Sequence, residues 1–201
     1  MVCYAISRSG KGDKMRGMRP LSDSEIAQVA SRLGVRDRAF FVLGIRTGFR
    51  VSELLSLRVA DVVNGGEVAR FVGVHRRNMK GKSEGRTIPL HDEARAALSA
   101  WVAELKNMGA AAESPLFLSR EGGAISRGQA WAIMTGAYRA AGVFGRVGVH
   151  GLRKTFAARV YDRTGHDLMQ TQRALGHKAI TSTAAYLSFA DSEVEAAILA
   201  A

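Results

Sequence analysis

Four side chains in the C-terminal quarter of the chain have types and spacings that could do chemistry. His150 and Arg153 sit three apart in His150-Gly151-Leu152-Arg153, so a helix would put them on one face. Leu175-Gly176-His177 follows, and Tyr186 comes nine residues after that histidine. An arginine presents a planar fork of N–H groups that fits two oxygens of a phosphate. A histidine can donate to a third oxygen or carry a proton near neutral pH. A tyrosine hydroxyl, with an ordinary pKa of about 10, is a nucleophile only when something takes its proton and its target is electrophilic. The set suggests a tyrosine attacking a phosphodiester. Taken singly, each residue has a plain structural reading, as a satisfied core histidine or a boundary tyrosine.

A second arginine changes that balance. Thr47-Gly48-Phe49-Arg50-Val51-Ser52-Glu53-Leu54 places Arg50 in a tight turn, with Gly48 ending one helix and Ser52-Glu53 starting the next. A charge between two buried segments needs a partner. A bound phosphate is one candidate and Glu53 is another.

The elements that must position these residues follow from pattern. Ser22 caps a helix and Glu25 completes a capping box, with Ile26, Val29, Ala30 and Leu33 as its buried stripe and Gly34 as its stop. A second helix runs from about 37 to 46. Val68 to His75 is Val-rich and reads as a strand, and Thr87-Ile88-Pro89-Leu90 as its returning partner. Between them, Arg76 to Arg86 holds five positive charges against one negative, a basic hairpin able to enter a DNA groove. Asp92 to Met108 is an amphipathic helix with Leu98, Trp101, Val102 and Leu105 inward. Residues 126–141 are helical, with Trp131, Met134 and Tyr138 facing the core. Helices from 152, from about 167 to 175 and from about 181 to 189 carry the C-terminal set, and Asp191 caps a last one. The fold class is mixed, mainly α with a small antiparallel β-sheet.

Composition bounds the partner. At 201 residues the chain is one domain or one domain with a tail. Its net charge is +11 and its pI about 10.5, which favours an anionic polymer. Residues 1–20 carry Arg8, Lys11, Lys14, Arg16 and Arg19 against Asp13 and read as a flexible basic arm, able to track a phosphate backbone or simply solvated. The one cysteine, Cys3, permits no internal disulfide. No run approaches the roughly 18 apolar residues of a membrane span. The expectation is a cytoplasmic protein with no membrane partner.

With Arg50, Lys80, His150, Arg153, His177 and Tyr186 in view, the chain resembles the tyrosine recombinase, or phage integrase, family from about Leu21 onward. Thr47 to Leu54 looks like that family's first arginine box. His150-Gly151-Leu152-Arg153, Leu175-Gly176-His177 and Tyr186 look like its second, and Lys80 lies where the family keeps a hairpin lysine. Order and spacing together make the match specific. The resemblance implies the family's catalytic-domain fold over residues 21–201. It implies cleavage of one DNA strand by Tyr186 through a 3′-phosphotyrosyl link, then rejoining to another 5′-hydroxyl. Arg50 and Arg153 would clamp the scissile phosphate, His177 would assist them, and His150 would help proton transfer. Lys80 would protonate the leaving oxygen, with Lys82 as its rival, and Glu53 would support the site. Arg76, Arg77, Lys82, Arg86 and Lys154 are the further candidate DNA contacts. Lys154 stands where many members have a histidine.

The expected partner is double-stranded DNA, with a tetramer on DNA and a monomer possible when free. No cofactor is expected: the phosphotyrosyl link conserves the broken bond's energy without ATP, and no acidic cluster or thiolate set suggests a metal. The family usually carries a DNA-binding domain ahead of this one, where only about twenty residues precede the first helix here. Two other readings use the same residues. A type IB topoisomerase-like enzyme would relax supercoils as a monomer. A non-catalytic DNA-binding regulator would keep the fold without turnover.

Overall fold

The architecture is a helical domain with two small hairpins, seen in a computed structural model that describes residues 18–75, 85–187 and 199. Helix α1 (Asp23–Ser31) opens with the expected capping box: the Ser22 hydroxyl accepts from Glu25 N–H, and the Glu25 carboxylate accepts from Ser22 N–H. Its end differs from expectation. Arg32 is the C-cap, and Gly34 is instead the N-cap of α2 (Val35–Thr47), in extended conformation.

Helix α2 is the centre of the fold. Every residue from Ala39 to Ile45 is buried, so it has no solvent face over two turns, as a helix surrounded by others requires. It packs against α5 (Asp92–Asn107) and α7 (Val149–Arg163). The approach to α7 is close enough that a side-chain carbon at Gly44 would lie 2.8 Å from Leu152 Cδ1. Phe40 meets Phe117 edge-on at 5.1 Å, and Trp101 donates its indole N–H to Leu116 O at 2.7 Å.

After α2 come α3 (Val51–Leu55) and α4 (Val59–Val62). The Val-rich stretch then divides. Strand β1 (Val63–Asn64) pairs with β2 (Glu67–Val68), while β3 (Phe71–Val74) pairs with β4 (Arg86–Pro89), both antiparallel. The break falls at Ala69-Arg70, because Gly65 and Gly66, with φ values of 60° and 86°, make the two-residue turn that folds Val68 back onto β1. The register Val72↔Ile88 buries both residues, leaving Thr87 and Pro89 exposed on the other face.

Helix α6 (Arg127–Ala140) carries Met134 and Tyr138 inward as expected. Trp131 is a correction: it is 59% exposed, because Ala130, Met134, Ala137 and Tyr138 already fill the buried face. Helices α8 (Leu168–Leu175) and α9 (Ile180–Leu187) close the domain over α7. The expected last helix capped by Asp191 lies outside the described residues.

The segment before α1 is docked through residues 18–20. Arg19, assigned by sequence to the flexible arm, bonds Glu25 Oε2 at 2.8 Å and Phe144 O at 3.0 Å, and its N–H bonds Arg146 O at 2.8 Å. Among the described residues no helix is long and apolar enough to cross a membrane.

Candidate active site

The site is made from the ends of helices. Helix α2 ends at Thr47, and Gly48 takes the left-handed conformation (φ 59°) that reverses the chain. Only glycine fits there, for a second reason as well: a side-chain carbon would run into the Phe156 ring of α7. The reversal delivers Arg50 to the start of α3. Helix α8 ends in the same way, at Gly176 with φ 62°, and delivers His177.

Arg50 is held by Glu53. The buried carboxylate accepts from the Arg50 backbone N–H at 2.8 Å and from its guanidinium Nη1 at 2.9 Å. Burial alone would raise the Glu53 carboxyl. The bonds from Arg50, with the charges of Arg50 and Arg153, outweigh it and hold the group below its ordinary value. The ion pair expected as the plain alternative is therefore present, and it does not exhaust Arg50: 43% of its side chain remains exposed. An aimed, partly open guanidinium is what anion binding requires.

Arg153 is the opposite case, only 4% exposed. Its Nη1 donates to Gly48 O and its Nη2 to Leu175 O at 2.8 Å. It thus spans the two helix ends that present Arg50 and His177. Burial, then the charge of Arg50, pushes its pKa down to about 10.

Tyr186 lies against this arginine. The Arg153 guanidinium carbon and the Lys154 Nζ are each 5.9 Å from the Tyr186 ring centroid. The His177 ring meets the Tyr186 ring edge-on at 5.7 Å, and its Nδ1 is 2.9 Å from Thr183 Oγ1. The Tyr186 hydroxyl points to the first turn of α7, 3.4 Å from His150 O. Burial raises the Tyr186 pKa, with the charges of Arg153 and Arg50 pulling the other way.

Arg50, Glu53, Arg153, His177 and Tyr186 therefore converge, although they are spread over more than a hundred residues of chain. His150 has its backbone at the Tyr186 hydroxyl and an exposed side chain, so the shared helix face holds for its position in α7 and not for its burial. Lys154, expected among the outer DNA contacts, is buried beside Tyr186, and burial lowers its pKa. Arg86, expected on the basic hairpin's surface, turns inward to Thr47 O at 3.0 Å and to Ala174 O. Lys80, Lys82, Arg76 and Arg77 lie outside the described residues. Sequence reasoning missed Thr183, buried beneath His177; its spacing of three before Tyr186 on one helix was the available signal.

A well-formed cleft lies elsewhere among the described residues. It measures about 680 Å³ and is lined by Asp23, Ile26, Arg38, Arg46, Arg159 and Arg163 among others. None of the converging residues lines it.

Comparison with known proteins identifies the family of the chain. The model of the phage integrase family matches residues 21–193. The chain belongs to the phage integrase family. This integrase-family domain is 33% identical over 161 residues to tyrosine recombinase XerD of Corynebacterium glutamicum, covering 80% of the chain and 50% of that protein. It is 38% identical over 163 residues to tyrosine recombinase XerC of Ralstonia pickettii, covering 77% of the chain and 49% of that protein. The integrase domain thus spans about half the length of these curated relatives. Among solved structures, the XerA recombinase superposes with a TM-score of 0.73 at 25% identity, over 89% of this chain and 63% of that one. The XerH site-specific recombinase, in its post-cleavage complex with a palindromic difH substrate, shares the fold with a TM-score of 0.71 at 22% identity, over 94% and 55%. The mainly helical integrase domain with small antiparallel hairpins is the tyrosine-recombinase catalytic-domain fold.

Proposed function

We propose that this domain is a site-specific DNA recombinase that cuts and rejoins duplex DNA through a 3′-phosphotyrosyl intermediate. The observation that carries the reading is the Arg153 guanidinium, which touches the turn before Arg50, the turn before His177 and the face of Tyr186. A phosphate seated between Arg50 and Arg153 has both non-bridging oxygens countered, and its phosphorus faces the Tyr186 hydroxyl. Phosphoryl transfer depends on such positioning and on charge stabilisation.

The Tyr186 oxygen attacks phosphorus and the bond to the 5′-oxygen breaks. The phenol proton leaves toward the first turn of α7, where His150 stands. The departing 5′-oxygen takes a proton from Lys80, or from Lys82, on the hairpin between β3 and β4. His177, steadied by Thr183, donates to the phosphate, and Glu53 keeps Arg50 aimed. The reverse attack by a different 5′-hydroxyl completes exchange. The number of bonds to phosphorus is unchanged throughout, so no nucleotide is consumed. The XerH relative bound to its difH substrate supports DNA as the partner. Exchange between two duplexes pairs copies of the protein, which we assign as a tetramer on DNA.

The test is a duplex nicked close to the cleavage position, so that the short product strand diffuses away and the covalent complex accumulates. The expected result is a protein–DNA adduct whose DNA-linked peptide contains Tyr186. An adduct at another residue, or none with any substrate of a random nicked library, rejects the proposal.

A further inference from the structure

Arg153 is not the only arginine that spans the two helix ends. The Arg86 Nη2 donates to Thr47 O at 3.0 Å and to Ala174 O. Arg153 donates to Gly48 O and Leu175 O. The two side chains thus bridge the same pair of chain segments one residue apart, Thr47-Gly48 on one side and Ala174-Leu175 on the other. These carbonyls belong to helix C-termini, which lack intrahelical donors and sit at the negative end of the helix dipole. A guanidinium is well shaped to serve two of them at once.

Arg86 is held there against a cost. Its Nη1 is buried with no hydrogen-bond partner among the described residues. Burial, then the charge of Arg153, pushes its pKa down to about 9. The Phe49 ring, 5.3 Å from its guanidinium carbon, offsets part of that cost. Arg86 is also the first residue of β4, paired with Val74 of β3.

We infer that Arg86 is a positioning residue for the strand-cleavage reaction: it straps the Arg50 turn to the His177 turn from the start of β4. This rests on the reading of the site given above. Arg50 and His177 approach one phosphate from two different helix ends, and neither end is bonded directly to the other by a regular element. Their separation is therefore set by the groups that bridge them. With Arg153 alone, one bridge leaves the segments free to pivot about it; the second bridge removes the pivot.

Arg86→Met removes the bridge while keeping an unbranched apolar stem, and Arg86→Lys restores a charge that lacks the planar fork. The nicked duplex gives the cleavage rate at saturating DNA, and titration gives the affinity. The expected result for Arg86→Met is a rate about tenfold to a hundredfold lower, the scale of a misplaced reactive group, with half-saturation changed less than about threefold. Millimolar guanidinium is expected to restore part of the rate by filling the vacated slot, methylammonium is not, and Arg86→Lys is expected to remain slow. Amide hydrogen exchange is expected to quicken together at residues 48–50 and 176–177, with the middle of α2 unchanged. A wild-type rate in Arg86→Met, or a loss confined to affinity, overturns the inference and makes Arg86 at most a DNA contact. Exchange that quickens in one segment only, or in neither, overturns it as well. If the wild-type chain forms no adduct, the reading of the site fails, and the exchange comparison still decides whether the strap exists.

Discussion

The guanidinium carbon of Arg153 lies 5.9 Å from the centroid of the Tyr186 ring. A buried cation over a half-buried phenol couples their charges. Burial raises the Tyr186 pKa above the ordinary 10, and Arg153 and Arg50 hold that rise in check. The phenol is thus protonated at neutral pH, so the proposed attack requires it to give up a proton. The difference in tyrosinate absorbance between the wild type and Tyr186→Phe is expected to titrate above pH 10. In an Arg153→Met background the same difference should move further up. Movement downward, or ionisation below 10, contradicts the assigned environment.

Tyr186→Phe keeps the ring and loses only the oxygen. DNA binding is expected to survive and the covalent adduct to disappear on denaturing gels. Binding of both forms should weaken steeply with salt, since lysines and arginines on a backbone release counterions.

The two arginines should separate activity from stability. Arg50→Ala and Arg153→Ala are each expected to raise the cleavage barrier by about 3 to 4 kcal/mol, the scale for removing a key charge stabiliser. Arg153→Ala also strands two carbonyls, at about 1 to 3 kcal/mol each where no water reaches them. Its melting temperature should therefore fall by about 5 to 20 °C. Arg50→Ala leaves the backbone N–H on Glu53 and should melt closer to the wild type. Thermal melts beside adduct assays check both.

Gly48→Ala and Gly65→Ala share one cost and differ in another. Both place alanine in the left-handed region, at about 1 to 2 kcal/mol. Gly65 has open space around its missing side chain, whereas a carbon at Gly48 would collide with Phe156. Denaturant unfolding should find Gly48→Ala less stable than Gly65→Ala by a further 1 to 3 kcal/mol or about that, the scale of overpacking.

The Arg19–Glu25 pair gives a pH dependence. The Arg19 side-chain bond is the main reason the Glu25 carboxyl is lowered from 4.5 to about 2. A carboxylate with a depressed folded pKa adds stability that is fully present above the unfolded value and is lost as pH falls through the folded one. Wild type minus Glu25→Gln should therefore be constant above about pH 5 and vanish between about 4.5 and 2. Its plateau should be about 1 kcal/mol, because both side chains are partly solvated.

Much of this fold is legible in local chemistry. Ser22 and Glu25 specify the start of α1, the stripe of Leu98, Trp101, Val102 and Leu105 specifies the buried face of α5, and Gly48 and Gly176 mark the two reversals that present Arg50 and His177. What escaped has physical causes too. Trp131 resembles a core residue by type, yet its helix had already filled its inward face with smaller side chains. Trp101→Ala should accordingly cost about 3 to 5 kcal/mol and Trp131→Ala under about 0.5. Arg86 read as one more charge on a basic loop because nothing in its neighbourhood announces carbonyls arriving from residues 47 and 174. Long-range bridges of that kind leave no periodic trace, and the same holds for Lys154 beside Tyr186.

The seat of Phe156 over Gly48 has a consequence for how the molecule fails. Helix α7, which carries His150 and Arg153, rests on the very turn that aims Arg50. Loosening that seam releases both guanidiniums in one event. Fraying there would therefore cost the proposed phosphate clamp both of its arms together, not one at a time.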